Sequence, residues 1–197
     1  PGSSPTGIVF ANTLKQDLMR SGWFSSADPG EGELTLRGRC QESGGKLTAE
    51  CRLLASDNPR IRLSKAYSAP IGEVRRFAHR VADAITEATG RKGFAAGRIV
   101  MVGSRSGHKE LYLTDSDGQS LTQLTKDRSV SVSPKWGPDS HIVYTSFLKG
   151  YPDVYRVNIV SGNRDRISNL AGLNTGADIS PDGREIVLVL SKDGNPE

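Results

Sequence analysis

The sequence predicts a multidomain chain: a small α+β domain followed by the opening blades of an incomplete β-propeller. Two observations carry that prediction. In the second half a phrase recurs: "WGPDSHIVYTSF" is written again as "ISPDGREIVLVLS", with Pro138 and Pro181 standing 43 residues apart and Ile142-Val143 meeting Ile186-Val187 at 44. In the first half the repeat is absent and helical periodicity takes its place.

A period in the low forties belongs either to stacked helical pairs or to four-strand propeller blades. The residues choose the blades. Within one period the runs are short and rich in β-branched residues: "RIVMVG", "ELYLTD", "LTQLT", "VSVSPKW", "HIVYTSF" and "DVYRVNIV". The last alternates apolar and polar positions, as a half-buried strand requires. Each run stops at a turn signal, at Asp117-Gly118, Pro138-Asp139-Ser140, Ser161-Gly162-Asn163 and Pro181-Asp182-Gly183. In such turns proline presets φ, aspartate bonds back to nearby backbone, and glycine accepts a positive φ. The earlier copy aligns Gly107 with Gly150 and Tyr112 with Tyr155, and the later one aligns Gly150–Asp153 with Gly194–Glu197. The expectation is one full blade, preceded by one lacking its opening strand and followed by one broken off. A ring left open in this way presents apolar flanks and an unpaired strand edge, so self-association through that edge is expected.

The propeller part is assigned to residues 97–197 and the α+β domain to residues 1–96. In the latter, "TGIVFANTLKQDLMRSGWF" puts Ala11, Leu14 and Leu18 on one helical stripe, with Thr6 as cap and Gly22 as stop. Three strands follow, "ELTLRGRC", "KLTAECRLL" and "RIRLSKAYS". A second helix over "APIGEVRRFAHRVADAITEATG" carries Ile71, Val74, Phe77, Ala78, Val81, Ala82 and Ile85 at helical spacing. Pro70 suits its first turn and Gly90 its end. His79 falls with Arg76, Arg80, Asp83 and Glu87 on the opposite, polar face. "GRKGFAAG" is the expected junction.

Composition narrows the function classes. An apolar share of 36% with 22 glycines suits many short strands and turns, and a net charge of +4 does not by itself call for nucleic acid. No run of 18 apolar residues occurs, so direct membrane insertion is not expected. The opening "PGSSPTG" holds no charged-then-apolar leader, and a chain trimmed ahead of Pro1 is expected. The two cysteines flank a Gly44-Gly45 turn. That turn sets Cys40 opposite Ala49 and makes Cys51 a diagonal neighbour, leaving open either a disulfide or two small half-buried residues.

"GSRSG" has the wrong spacing for a serine elbow, which weakens an oligopeptidase-like propeller whose catalytic domain lies elsewhere. His79, His108 and His141 sit in separate elements, so no metal ligation or cofactor is expected. "DSDG" lacks the downstream ligands of a calcium loop and reads as a hairpin turn. Arg75, Arg76, Arg80, Arg91 and Lys92 read as a solvated helix face; no aromatic interleaving supports nucleic-acid stacking. Protein or peptide binding remains, with carbohydrate as a further ligand class. Propellers bind with the loops at one rim, here "GSRSGHKE", "KDRSVS", "FLKGYPD" and "NLAGLNTG". Arg128, Lys149, Tyr151 and Asn174 are the candidate contact residues, Tyr151 because aromatic anchors dominate interfaces.

One resemblance covers nearly the whole chain. "RRFAHRVADAITEATGRKGFAAGRI" resembles the junction signature of the TolB family, in which an arginine pair, an Ala-His and an Ala-Asp precede a Thr-Gly and the first blade. "NTLKQDLMRSGWF" is similar to that family's first helix. "SPKWGPDS", "SFLKGYPDVYRVNIVSGNRDRIS", "GLNTGADISPDG" and "LSKDGNPE" are similar to its first blades. The resemblance implies a six-bladed propeller behind an α/β domain and a periplasmic, non-enzymatic protein of the Tol–Pal envelope system. Its partners would be the lipoprotein Pal and the inner-membrane protein TolA. By the same resemblance the chain stops about two blades into the ring, and the family's main Pal contacts are expected in later blades.

Overall fold

A computed structural model describes residues 4–28, 30–56 and 60–196. The chain separates into two compact units, Pro1–Gly97 and Arg98–Glu197. Pro1 and Glu197, to which the sequence assigned a trimmed start and a repeat position, lie outside the described residues.

The first unit begins with α1 (Pro5–Arg20). Ser4, rather than Thr6, is the cap: its hydroxyl accepts from Gly7 N at 3.1 Å, and Pro5 occupies the first helical position, where its missing N–H costs nothing. The buried stripe runs through Phe10, Thr13, Leu14, Asp17 and Leu18. Ala11 is exposed, because the larger Phe10 claims the core-facing row. Strands β1 (Leu34–Ser43) and β2 (Lys46–Ala55) form a hairpin closed by Gly44 and Gly45, at φ +56° and +72°. Both residues of such a two-residue turn need positive φ, so the glycine pair fixes the register. β3 (Ile61–Pro70) completes the antiparallel order β1-β2-β3.

Pro70 therefore ends an edge strand instead of opening a helix. It faces Lys46 across the ladder, and an edge position leaves its missing donor harmless. A short 3-10 turn at Ile71–Glu73 then leads into α2 (Val74–Glu87), which leaves Ile71 more exposed than its place on the expected stripe. α2 buries Phe77, Ala78, Val81, Ala82 and Ile85 against Leu47, Ala49, Cys51 and Leu53 of β2, and Phe10 meets Phe77 with ring centroids 5.0 Å apart. Gly90, at φ +79°, ends the helical segment.

The second unit is built of three antiparallel sheets. The first holds β4 (Arg98–Gly103), β5 (Glu110–Asp115) and β6 (Thr122–Gln123). The second holds β7 (Ser131–Trp136), β8 (His141–Ser146), β9 (Asp153–Asn158) and β10 (Arg164–Ser168). The third holds β11 (Asn174–Ile179) and β12 (Ile186–Leu190). Three, four and two strands are the repeat with its opening strand absent, complete and broken off.

Alternation along the central blade explains the stacking. Ile142 and Tyr144 of β8, with Tyr155 and Val157 of β9, pack toward Leu111, Val100 and Leu124 of the first blade. Val143 and Val154 turn the other way, onto Ala177, Ile186 and Leu188 of the third. Period-two side chains thus bury both faces of one sheet. Ile99 and Met101 on the first blade, and Val187 and Val189 on the third, remain exposed.

The 43-to-44 slip in the repeat has a local cause. At Pro138–His141 the turn has two central residues, Asp139 and Ser140, both at positive φ (+53° and +61°), closed by His141 N to Pro138 O at 3.0 Å. At Ser180–Gly183 the backbone bond runs from Gly183 N to Ser180 O, and Gly183 alone takes positive φ. The second loop is one residue longer and puts its left-handed residue on glycine.

Candidate functional site

The loops expected to bind partners are brought to one rim of the second unit. Ser131 N donates to Lys109 O at 2.7 Å and Phe147 N to Val130 O at 2.9 Å, stitching the 104–109 loop, the 126–130 crossing and the 147–152 loop side by side. At the base of the rim, Thr145 and Thr175 hydroxyls meet at 3.0 Å, which brings in the start of β11.

Two buried acids one period apart support these loops. Glu110 heads β5 at 1% exposure: its Oε1 accepts from Arg128 N at 2.8 Å and its Oε2 from the Thr125 hydroxyl, which itself accepts from Leu111 N. Asp153 heads β9, also buried, and its Oδ2 accepts from Arg166 at 3.2 Å. Buried carboxylates are tolerated only when bonded in this way. Their 43-residue spacing was present in the repeat alignment and would have found them.

The candidate contact residues divide. Arg128 sits in the left-handed region at φ +53°, held there by the Glu110 bond, with its side chain exposed. Lys149 and Tyr151 are exposed on the 147–152 loop, Tyr151 to 75%; Gly150 between them, at φ +88°, closes the turn by donating to Phe147 O at 2.9 Å. Asn174 is a correction. Its side chain is fully buried and spent within the chain: Oδ1 accepts from the Ser168 hydroxyl and Leu170 N, and Nδ2 donates to Leu170 O and Gly172 O. It shapes the crossing and offers nothing to a partner.

His79 is a second correction. It is 2% exposed, and its Nδ1 lies 2.6 Å from Asp17 Oδ2, itself 3% exposed, so the pair ties α1 to α2 inside the core of the first unit. One turn earlier on each helix, Arg75 donates to the Thr13 hydroxyl at 3.3 Å. Asp83 clasps the end of the junction, accepting from Ala95 N at 2.7 Å and Ala96 N at 2.8 Å. A β-carbon at Gly93 would stand 2.6 Å from that carboxylate, so only glycine fits there. Arg91 rests over the Trp23 ring, 4.5 Å from its centroid, rather than standing in a basic patch.

A groove of about 260 Å³ opens between α1 and the β1-β2 hairpin, lined by Phe10, Leu14, Leu18, Leu36, Cys40 and Cys51 among others. Cys40 faces Ala49 and Cys51 faces Gly38, the expected diagonal offset, and both are free thiols. No disulfide joins them in this structure. Burial, with Cys40 adding to it, pushes the Cys51 thiol up to about 11. Among the described residues no group of three His, Cys, Asp or Glu could hold a metal ion, and no helix is long and apolar enough to cross a membrane.

A family described as the TolB β-propeller domain matches residues 85–197. The Tol-Pal system protein TolB of Alcanivorax borkumensis is 35% identical over 139 residues, covering 67% of this chain and 32% of that protein. A TolB homolog of Chlorobaculum tepidum is 29% identical over 176 residues, covering 88% and 40%. The crystal structure of TolB from Acinetobacter baumannii aligns with a TM-score of 0.87 at 27% identity, over 100% of this chain and 55% of that one. The chain thus spans about a third to a half of the length of these relatives.

Proposed function

The chain belongs to the TolB family, and on that premise we propose that it is a non-enzymatic periplasmic scaffold of the Tol–Pal envelope system. Residues 1–96 are its α/β domain and residues 97–197 the start of its propeller. It binds the lipoprotein Pal and communicates with TolA. The observation that supports this reading most is the alignment of the full chain with A. baumannii TolB, which includes both the helical unit and the blades. Arg128, Lys149 and Tyr151 are the rim residues placed to meet a partner, because their side chains are exposed on loops whose backbone is fixed from beneath.

Calorimetry with the purified periplasmic domain of Pal tests the reading, on this chain and on one that completes the ring. Binding by both places part of the Pal surface on this rim. Binding by the longer chain alone moves the surface to later blades. Silence from both ends the Pal assignment and leaves the fold untouched.

The exposed flanks carry a second consequence. Ile99 and Met101 at one end of the stack, and Val187 (70% exposed) and Val189 at the other, are the kind of surface the central blade buries on both sides. The 197-residue chain self-associates through them, and a stable monomer by light scattering would count against this.

A further inference from the structure

We infer that the rim of the first two blades is a cationic docking face for an acidic patch on a partner protein, with Tyr151 as its anchor. This rests on the scaffold reading above and adds the chemistry of the surface that is recognised. Arg105, Lys109, Lys126, Arg128 and Lys149 are all exposed on the three stitched loops. Those loops contain a single acid, Asp127, and it is already engaged, 2.6 Å from Arg164 with its side chain 10% exposed. Glu110 and Asp153, just below, are buried and bonded. The cations of the rim therefore have no free counter-charge among their own loops. The corresponding loop of the third blade adds one of each sign, Lys192 and Asp193.

The other end of the same two blades is built differently. Its turns, 116–121, 137–140 and 159–163, contain no lysine or arginine and carry Asp117 and Asp139. The loops of the rim are therefore cationic and the turns of the other end are not, although Arg98, Lys135 and Arg164 stand on strands near those turns. A cationic rim orients and accelerates the approach of an oppositely charged surface, and puts a like-charged one at a disadvantage.

Charge alone would also serve a bare polyanion. The apolar groups on the loops favour a protein. Tyr151 is 75% exposed, and Val130 and Phe147, on the adjoining crossing and the same loop, are also exposed. An aromatic anchor with apolar neighbours inside a charged surround is how protein interfaces are organised, whereas a polyanion has nothing to place on the ring.

The test uses the 197-residue chain and two fluorescein-labelled synthetic peptides. One is rich in Asp and Glu around a central Leu-Phe pair, and the other has that pair replaced by serines. Heparin is the bare polyanion. By anisotropy, the Leu-Phe peptide is expected to bind about tenfold tighter than its serine version, and to weaken about tenfold as salt rises from ~50 to ~300 mM. Lys126→Glu with Lys149→Glu should lower its affinity at least about tenfold, and Tyr151→Ala should make the two peptides equal. Val160→Lys, at the opposite end and 81% exposed, should change nothing. Trp136 fluorescence checks that each variant is folded.

Equal binding of both peptides, with displacement by heparin that ignores Tyr151, would overturn the inference in favour of a polyanion site. No peptide binding, or binding indifferent to the rim charges, would also overturn it. The Pal domain titrated against the same variants separates the two readings. Pal binding that ignores the rim substitutions removes this inference and keeps the scaffold. Peptide binding with no Pal binding, either by this chain or by one that completes the ring, keeps the cationic face and removes the Pal assignment.

Discussion

The two units hold themselves together in opposite ways. The first has one closed core, two helices over the inner face of β2, with polar ties driven into it: Asp17 to His79, Thr13 to Arg75 and Asp83 to the junction backbone. The second has no single core. Its apolar clusters lie between sheets, so each blade is stabilised by its neighbours rather than by itself. The first unit is specified by a few buried polar contacts, and the second by repetition of a face. One tryptophan stands in each, Trp23 and Trp136, so each can be followed separately.

The largest test of that contrast is Tyr144→Ala. Tyr144 is wholly buried, its ring 5.9 Å from that of Tyr155 and its hydroxyl 3.3 Å from Arg164. Truncation should cost about 3–5 kcal/mol, lowering the urea midpoint reported by Trp136 in a Trp23→Phe background, while Trp23 reports no change in a Trp136→Phe background. A common shift at both tryptophans would break the comparison and make the chain one cooperative body.

Asp17→Ala is the converse, expected to cost the first unit about 2–3 kcal/mol by stranding a buried imidazole, with Trp136 as the silent reporter. Ser140→Gly should act upward. A serine held at φ +61° carries left-handed strain that glycine does not, so the second unit should gain about 1 kcal/mol in chemical unfolding.

The most subtle difference is in alkali. Burial raises the Cys51 thiol from 9.0 to about 11, and the Tyr144 phenol from 10.0 to about 12 against a lowering hydrogen bond from Arg164. In both cases the unfolded chain loses its proton first. The contribution is therefore fully present below the unfolded value and is lost as pH climbs to the folded one. Urea midpoints should fall for the first unit over roughly pH 9–11 and for the second over roughly pH 10–12. Cys51→Ala should flatten the first slope.

Sequence made the architecture of the second unit readable because its information is periodic. Tyr112 and Tyr155, or Ile142 and Ile186, report the same environment at a fixed step, and repetition averages out local accident. The first unit was readable only in outline. Ala11 and Phe10 are neighbours on a helix, and which of them faces inward depends on where the sheet lies, which periodicity alone leaves a residue or so uncertain. His79 was placed with the arginines of α2 because its partner, Asp17, is 62 residues away, and no local pattern encodes a contact across two helices. Asn174 failed for a related reason: an asparagine in a loop looks like a contact residue until the backbone folds around its amide. The exposure of Arg128, Lys149 and Tyr151, by contrast, follows from their place on turns, with no buried partner for their side chains among the described residues.

The two-faced central blade has a consequence for how such a protein can change over generations. Each period presents one surface backward and a complementary one forward, so a whole period of about 43 residues could be copied or deleted and the new neighbours would still meet on matching faces. Half a period could not, since it would leave a blade of two strands, too narrow to cover its neighbours' faces and with an unpaired edge. The unit of inheritance in this half of the molecule is therefore the interface, and a crossover anywhere within the repeat is tolerated provided that it resumes at the same point in the next one.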